Sequence, residues 1–153
     1  LPCYEWQHVL VLPKDHPLAA KERISLEDLA HEPIITYHPS FTGRTRIDHA
    51  FAQKKLTPRI ALEAIDSDVI KTYVRLGLGV GIVAEMAVRD DSNADLVVRP
   101  MGHVFGQNIA RVAFKRSAYL RNFVFKFAEL LSDRLDRNLI AKALSGHQQD
   151  YEL

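Results

Sequence analysis

Strand-sized apolar runs alternate along this chain with stretches whose apolar residues recur at helical spacing, and that alternation restricts the fold to a sheet with crossover helices. Residues 8–12 form one such run, ended by Pro13, and residues 33–37 form a second, ended by Pro39. Between them, Ser25-Leu26-Glu27-Asp28 has the hydroxyl-to-acid spacing of a capping box, which predicts a short helix to about Ala30. Ile47, Ala50, Phe51 and Lys54 then fall on one helical face, predicting a helix over residues 43–55. Pro58 opens a strand that runs through Ala64.

Asp66-Ser67-Asp68 supplies a cap and early negative charge for a helix with Val69, Ile70, Tyr73 and Val74 as its inner face. Gly77 and Gly79 end that helix, and residues 80–84 read as a buried strand. Residues 90–93 read as a surface turn, and residues 96–99 and 108–115 as further strands. Leu120, Phe123, Val124, Phe127, Ala128 and Leu131 mark a helix, followed by a second through Leu135, Leu139, Ile140, Ala143 and Leu144, with a frayed tail after Gly146. The whole is an α/β chain without internal repeats.

Composition narrows the function. The 20 basic and 19 acidic residues are spread through the chain for a net charge of +1, so there is no basic stripe on which a phosphate backbone would lie. The single cysteine, Cys3, excludes an internal disulfide and any cysteine-cluster metal site, which favours a reducing, cytoplasmic compartment. No apolar run approaches the length of a membrane-spanning helix, so a soluble protein with no membrane partner is expected. The chain opens on Leu1-Pro2-Cys3 and lacks the basic start and apolar core of a signal peptide, and is expected to be a fragment.

Seven histidines are scattered with no pair at the spacing of a helical zinc site, so no metal is expected. No Gly-x-Ser-x-Gly elbow occurs, no catalytic constellation emerges, and the chain reads as a non-enzyme without a cofactor. The glycine series Gly77-Leu78-Gly79-Val80-Gly81 follows a helix and precedes a strand, the reverse of a dinucleotide-binding loop.

The most informative stretch is Ser40-Phe41-Thr42-Gly43-Arg44-Thr45-Arg46, at a strand-to-helix junction. Free amides in a first helical turn, the positive end of the helix dipole and the hydroxyls of Ser40 and Thr42 would together hold a sulfate, phosphate or carboxylate, and Gly43 would let it approach closely. Arg44 and Arg46 sit where the dipole disfavours positive charge, unless an anion or an acidic partner offsets it. Two readings stay open: Thr42 caps the helix beside solvated arginines, or Thr42, Gly43, Ser40 and Arg44 bind an anion, with His38 nearby. The Asp66 junction carries two carboxylates and reads as a cap.

Asp15-His16-Pro17-Leu18-Ala19 and Gly77-Leu78-Gly79-Val80-Gly81-Ile82-Val83 resemble the effector domain of LysR-type transcriptional regulators. Thr36-Tyr37, Phe41-Thr42-Gly43-Arg44, the run from Asp66 to Val74 and Phe114-Lys115-Arg116 narrow the resemblance to the cysteine-regulon and sulfur-assimilation activators, over nearly the whole chain. The resemblance implies a periplasmic-binding-protein-like type II fold, with residues 1–107 forming effector subdomain II and residues 108–153 the returning segment of subdomain I. It also implies that the threonine of the Thr-Gly-Arg turn, here Thr42, contacts a sulfate- or thiosulfate-like anion or an acetylserine inducer.

Further implied are DNA contact through an N-terminal winged helix-turn-helix absent from this chain, engagement of RNA polymerase by the full-length protein, and a homo-oligomer, dimer or tetramer. Two rivals from other classes are a solute-binding protein for an oxyanion such as sulfate, and an enzyme acting at the Thr42 loop with His38 as its only nearby acid or base.

Overall fold

The computed structural model describes residues 1–89, 93–115 and 118–145. It divides into two compact units, Gln7–Gln107 on one hand and Leu1–Trp6 with Asn108–Leu153 on the other.

In the larger unit a mixed sheet is ordered β3-β2-β4-β1-β5, from β1 (Pro2–Pro13), β2 (Pro33–Tyr37), β3 (Arg59–Ala64), β4 (Val80–Ala84) and β5 (Leu96–Pro100). β2 runs parallel to β3 and β4, while β1 is antiparallel to β4 and β5, with Leu10 opposite Ile82 and Arg99. Helices cover both faces, which is why residues 9–12 are uniformly apolar rather than alternating: every one is buried, as is His8 before them. Leu10 and Leu12 face α1 (Leu26–Ala30) and α2 (Thr42–Gln53), joining Ile34, Ile47, Phe51 and Met101. Val9 and Val11 point the other way, to Ile70 and Val74 of α3 (Ser67–Arg75).

Gly81 permits this second layer, because a Cβ there would lie 2.5 Å from Val11 Cγ2 and 2.8 Å from Val74 Cγ2. The Ser25 capping box forms as the spacing predicts, with Asp28 returning to the Ser25 amide at 2.8 Å.

The smaller unit pairs β6 (Gln107–Arg111) with β1 and adds α5 (Asn122–Leu131) and α6 (Arg137–Leu144). Its core is Cys3, Phe125, Ala128, Leu135 and Ile140, and the Ser132 hydroxyl donates to the Cys3 carbonyl at 2.6 Å.

Several expectations change. β1 begins six residues before the predicted run, and β6 stops at Arg111 rather than Lys115, leaving Val112 and Phe114 packed from irregular backbone. A short α4 (Gly102–Phe105), not predicted, follows β5, its first amide donating to Gln7 Oε1 at 2.9 Å. On α3 the inner face is Ile70, Lys71 and Val74, whereas Val69 is exposed. On α5 the inward residues are Phe125 and Ala128, while Phe123, Phe127 and Leu130 are exposed. Helical spacing alone selects a stripe but not which stripe meets the core. The predicted turn at residues 90–93, Arg116 of the family-like motif and the tail after Gly146 fall largely outside the described residues.

Candidate functional site

The loop after β2 folds back on itself before α2 begins. The Phe41 amide donates to the His38 carbonyl at 3.1 Å, the Ser40 amide to His38 Nδ1 at 3.2 Å, and the Ser40 hydroxyl lies 2.9 Å from the same nitrogen. Phe41, with extended backbone, occupies the cap position, and no side chain caps the helix. Thr42 is therefore the first helical residue and not the cap. Its hydroxyl is exposed and has no hydrogen-bond partner among the described residues. The amides of Thr42 and Gly43 stand ahead of any intrahelical acceptor, whereas the Arg44 amide turns back to the Phe41 carbonyl at 3.0 Å. The turn thus presents two amides and a hydroxyl at the positive end of a twelve-residue helix.

Arg44 is not solvated. It is 6% exposed, with Nε donating to Asp48 Oδ1 at 2.8 Å and Nη1 to both Glu63 Oε1 and the Tyr37 carbonyl at 2.8 Å. Burial works against its charge, but its hydrogen bonds to Asp48 and Glu63, with the charges of those two carboxylates, outweigh burial and hold its pKa above the ordinary arginine value. An acidic partner, one of the two offsets the sequence left open, is what tolerates a cation at this helix start. Arg44 ties α2 to the end of β2 and to β3. Its Nε and Nη1 are committed to these partners.

Beneath the turn lies a residue that sequence reading passed over. His8 is fully buried in β1, edge-on to the Phe105 ring at 5.8 Å, with the Gly43 backbone against it. Burial, reinforced by the Arg46 charge and only partly opposed by hydrogen bonding to Gly43, pushes its pKa down to about 4. The ring is neutral near pH 7. The only signal in the sequence was a histidine heading an otherwise apolar run.

The second helix start is built differently. Asp66 caps α3 by accepting from the Asp68 amide at 2.6 Å, and Asp68 pairs with the buried Lys71, whose ammonium also donates to the Ala87 carbonyl at 2.8 Å. The Tyr37 hydroxyl joins the neighbourhood, 2.7 Å from Ser67 Oγ and accepting from the Ala84 amide at 3.0 Å. Carboxylates already answer the helix there. No group of three or more His, Cys, Asp or Glu among the described residues is arranged to hold a metal ion, and no helix of the described residues is long and apolar enough to cross a membrane.

Comparison with known proteins decides the family: residues 1–136 match the LysR substrate binding domain. The chain belongs to that family. It is 53% identical over its full length to the HTH-type transcriptional regulator CysB of Burkholderia cenocepacia, covering 49% of that protein. It is 44% identical over 94% of its length to the HTH-type transcriptional regulator SsuR of the same organism, covering 46% of it. The crystal structure of the cofactor-binding domain of the Cbl transcriptional regulator superposes with a TM-score of 0.86 at 42% identity, over 94% of this chain and 63% of that one. The fold is accordingly that of LysR effector-binding domains, the type II periplasmic-binding-protein-like class. The chain spans about half the length of these curated relatives.

Proposed function

We propose that this chain is part of the sensing region of a LysR-type regulator of cysteine biosynthesis and sulfur assimilation, and that the start of α2 holds its effector. One observation carries the site: the α2 helix has no side-chain cap, and the hydroxyl of Thr42 is uncommitted among the described residues. A small sulfur oxyanion such as sulfate or thiosulfate, or the carboxylate of an acetylserine, would accept from the amides of Thr42 and Gly43 and from the Thr42 hydroxyl. Ser40, held by His38, lines the approach. Arg44 acts as a positioning residue, fixing the turn through Glu63 and the Tyr37 carbonyl.

In this reading residues 7–107 form effector subdomain II and residues 108–153 the returning part of subdomain I, with residues 1–6, given to subdomain II on the sequence alone, assigned instead to the smaller unit. The effector shifts the regulator between two poses only to the extent that it binds one of them better. DNA is contacted through a winged helix-turn-helix elsewhere in the full-length protein, which works in the cytoplasm as a dimer or tetramer with RNA polymerase and carries out no catalysis. Similarity to regulators favours this reading over a solute-binding protein. The test is calorimetry on the complete effector domain with sulfate, thiosulfate and acetylserines. Thr42→Ala is expected to weaken binding about tenfold, the loss of one charge-assisted hydrogen bond, and equal affinity in the two proteins would refute the assignment.

A further inference from the structure

Six of the twelve Lys and Arg side chains of the larger unit are matched by acids. Lys21, Arg44, Lys54, Lys71, Arg75 and Arg89 each lie within 3.3 Å of a carboxylate oxygen. Among the six without a carboxylate partner in the described residues, Arg23 and Arg99 are the two that stand together. Both line one concavity of about 410 Å³, with Glu22, Ile24, Pro100 and His103.

Arg99 is half-buried and held in place by neutral acceptors only, Nη1 donating to the Ala19 carbonyl at 2.8 Å and Nη2 to the Glu22 carbonyl at 2.9 Å. A guanidinium carries five N–H groups, so three remain after those two bonds. His103 is fixed in the same way, its Nε2–H donating to the Ile24 carbonyl at 2.8 Å, so that in the neutral ring Nδ1 is an acceptor. Arg23 extends from the loop between these two anchors and makes no hydrogen bond or ion pair among the described residues. Two cations and an imidazole thus converge on a concavity opposed by one carboxylate, Glu22. Carbonyl dipoles orient Arg99 but do not neutralise it, and a half-buried charge is best answered by an anion.

We propose that this concavity, between the loop preceding α1 and the corner of β5 and α4, is a second site for a small anionic ligand, a carboxylate or an oxyanion, held by Arg23 and Arg99 with His103 at its side. It shares no residue with the turn at Thr42. A ligand there would bridge the residue 21–24 loop to the segment that leads into β6.

The experiment is a nitrogen–proton NMR titration of the full chain with sodium sulfate and, separately, sodium acetate, following the arginine Nε–H signals and the backbone amides of residues 22–24 and 99–103. These signals are expected to move together and saturate with one common dissociation constant. The stronger of the two ions names the ligand class. Arg23→Gln, at an exposed position, is expected to keep the folded spectrum and weaken this binding about tenfold, while Thr42→Ala leaves it unchanged. Non-saturating shifts spread over all arginines, or affinity unaltered by Arg23→Gln, would overturn the site, and neither result bears on the Thr42 turn.

Discussion

The α2 and α3 helices both begin at the C-terminal end of a sheet strand in the same unit, yet one start is closed and the other open. At α3, Asp66 caps the helix, Asp68 stands in the first turn, and the buried Lys71 pairs with Asp68. At α2 the cap position holds Phe41, which has nothing to donate or accept from its side chain, and the cation of the first turn is drawn down into the sheet by Glu63. The same dipole is thus satisfied internally in one helix and left available in the other. A free helix start is therefore a matter of where the neighbouring charges are sent as well as of which residues stand in the first turn.

The comparison can be broken most forcefully through His8. The unfolded imidazole titrates near 6.5 and the folded one near 4, so below pH 6.5 the unfolded chain takes up the proton first. The stability His8 confers is complete above pH 6.5 and is lost as the pH falls to about 4, amounting to about 3 kcal/mol. Urea unfolding at stepped pH should show that slope, and His8→Gln should flatten it. The start of α2, resting on this ring, should loosen in acid before the start of α3 does, as read by amide exchange.

Next in size, Arg44→Met should cost about 2–3 kcal/mol by leaving Glu63, Asp48 and the Tyr37 carbonyl without their donor, moderated because both carboxylates retain some water. Arg44→Lys should recover little, since one ammonium cannot span three acceptors in a plane. Asp66→Ala should cost about 1 kcal/mol, the ordinary worth of a helix cap, measured as a shift in denaturant midpoint. Smallest of all, Thr42→Ala should change stability by less than about 0.5 kcal/mol, because its hydroxyl holds nothing within the fold. A stability loss at Thr42 as large as that at Asp66 would erase the distinction between the two helix starts.

The alternation of apolar runs and helical stripes made the α/β layers readable, and local capping chemistry located α1 at Ser25 and α3 at Asp66 because donor and acceptor lie within three residues of each other. The start of α2 was misjudged by one position, since Thr42 is a better capping residue than Phe41 by composition and only the backbone excludes it. The fate of Arg44 depended on Glu63, nineteen residues away on a strand whose pairing no local pattern announces. The burial of His8 likewise depended on β1 being covered on both faces. On α5 Phe123 and Phe127 fit the stripe with Leu120, Val124 and Leu131 better than Phe125 does, but packing around Cys3 and Ile140 selected Phe125.

The three bonds of Arg44 also govern how this part of the molecule opens. One side chain joins the end of an inner strand, the edge strand β3 and its own helix at Asp48, so none of the three can fray by itself without stripping that guanidinium of partners. Amides of β3 and of the first turns of α2 should then exchange with solvent as one cooperative block, an edge strand borrowing the slow clock of the interior.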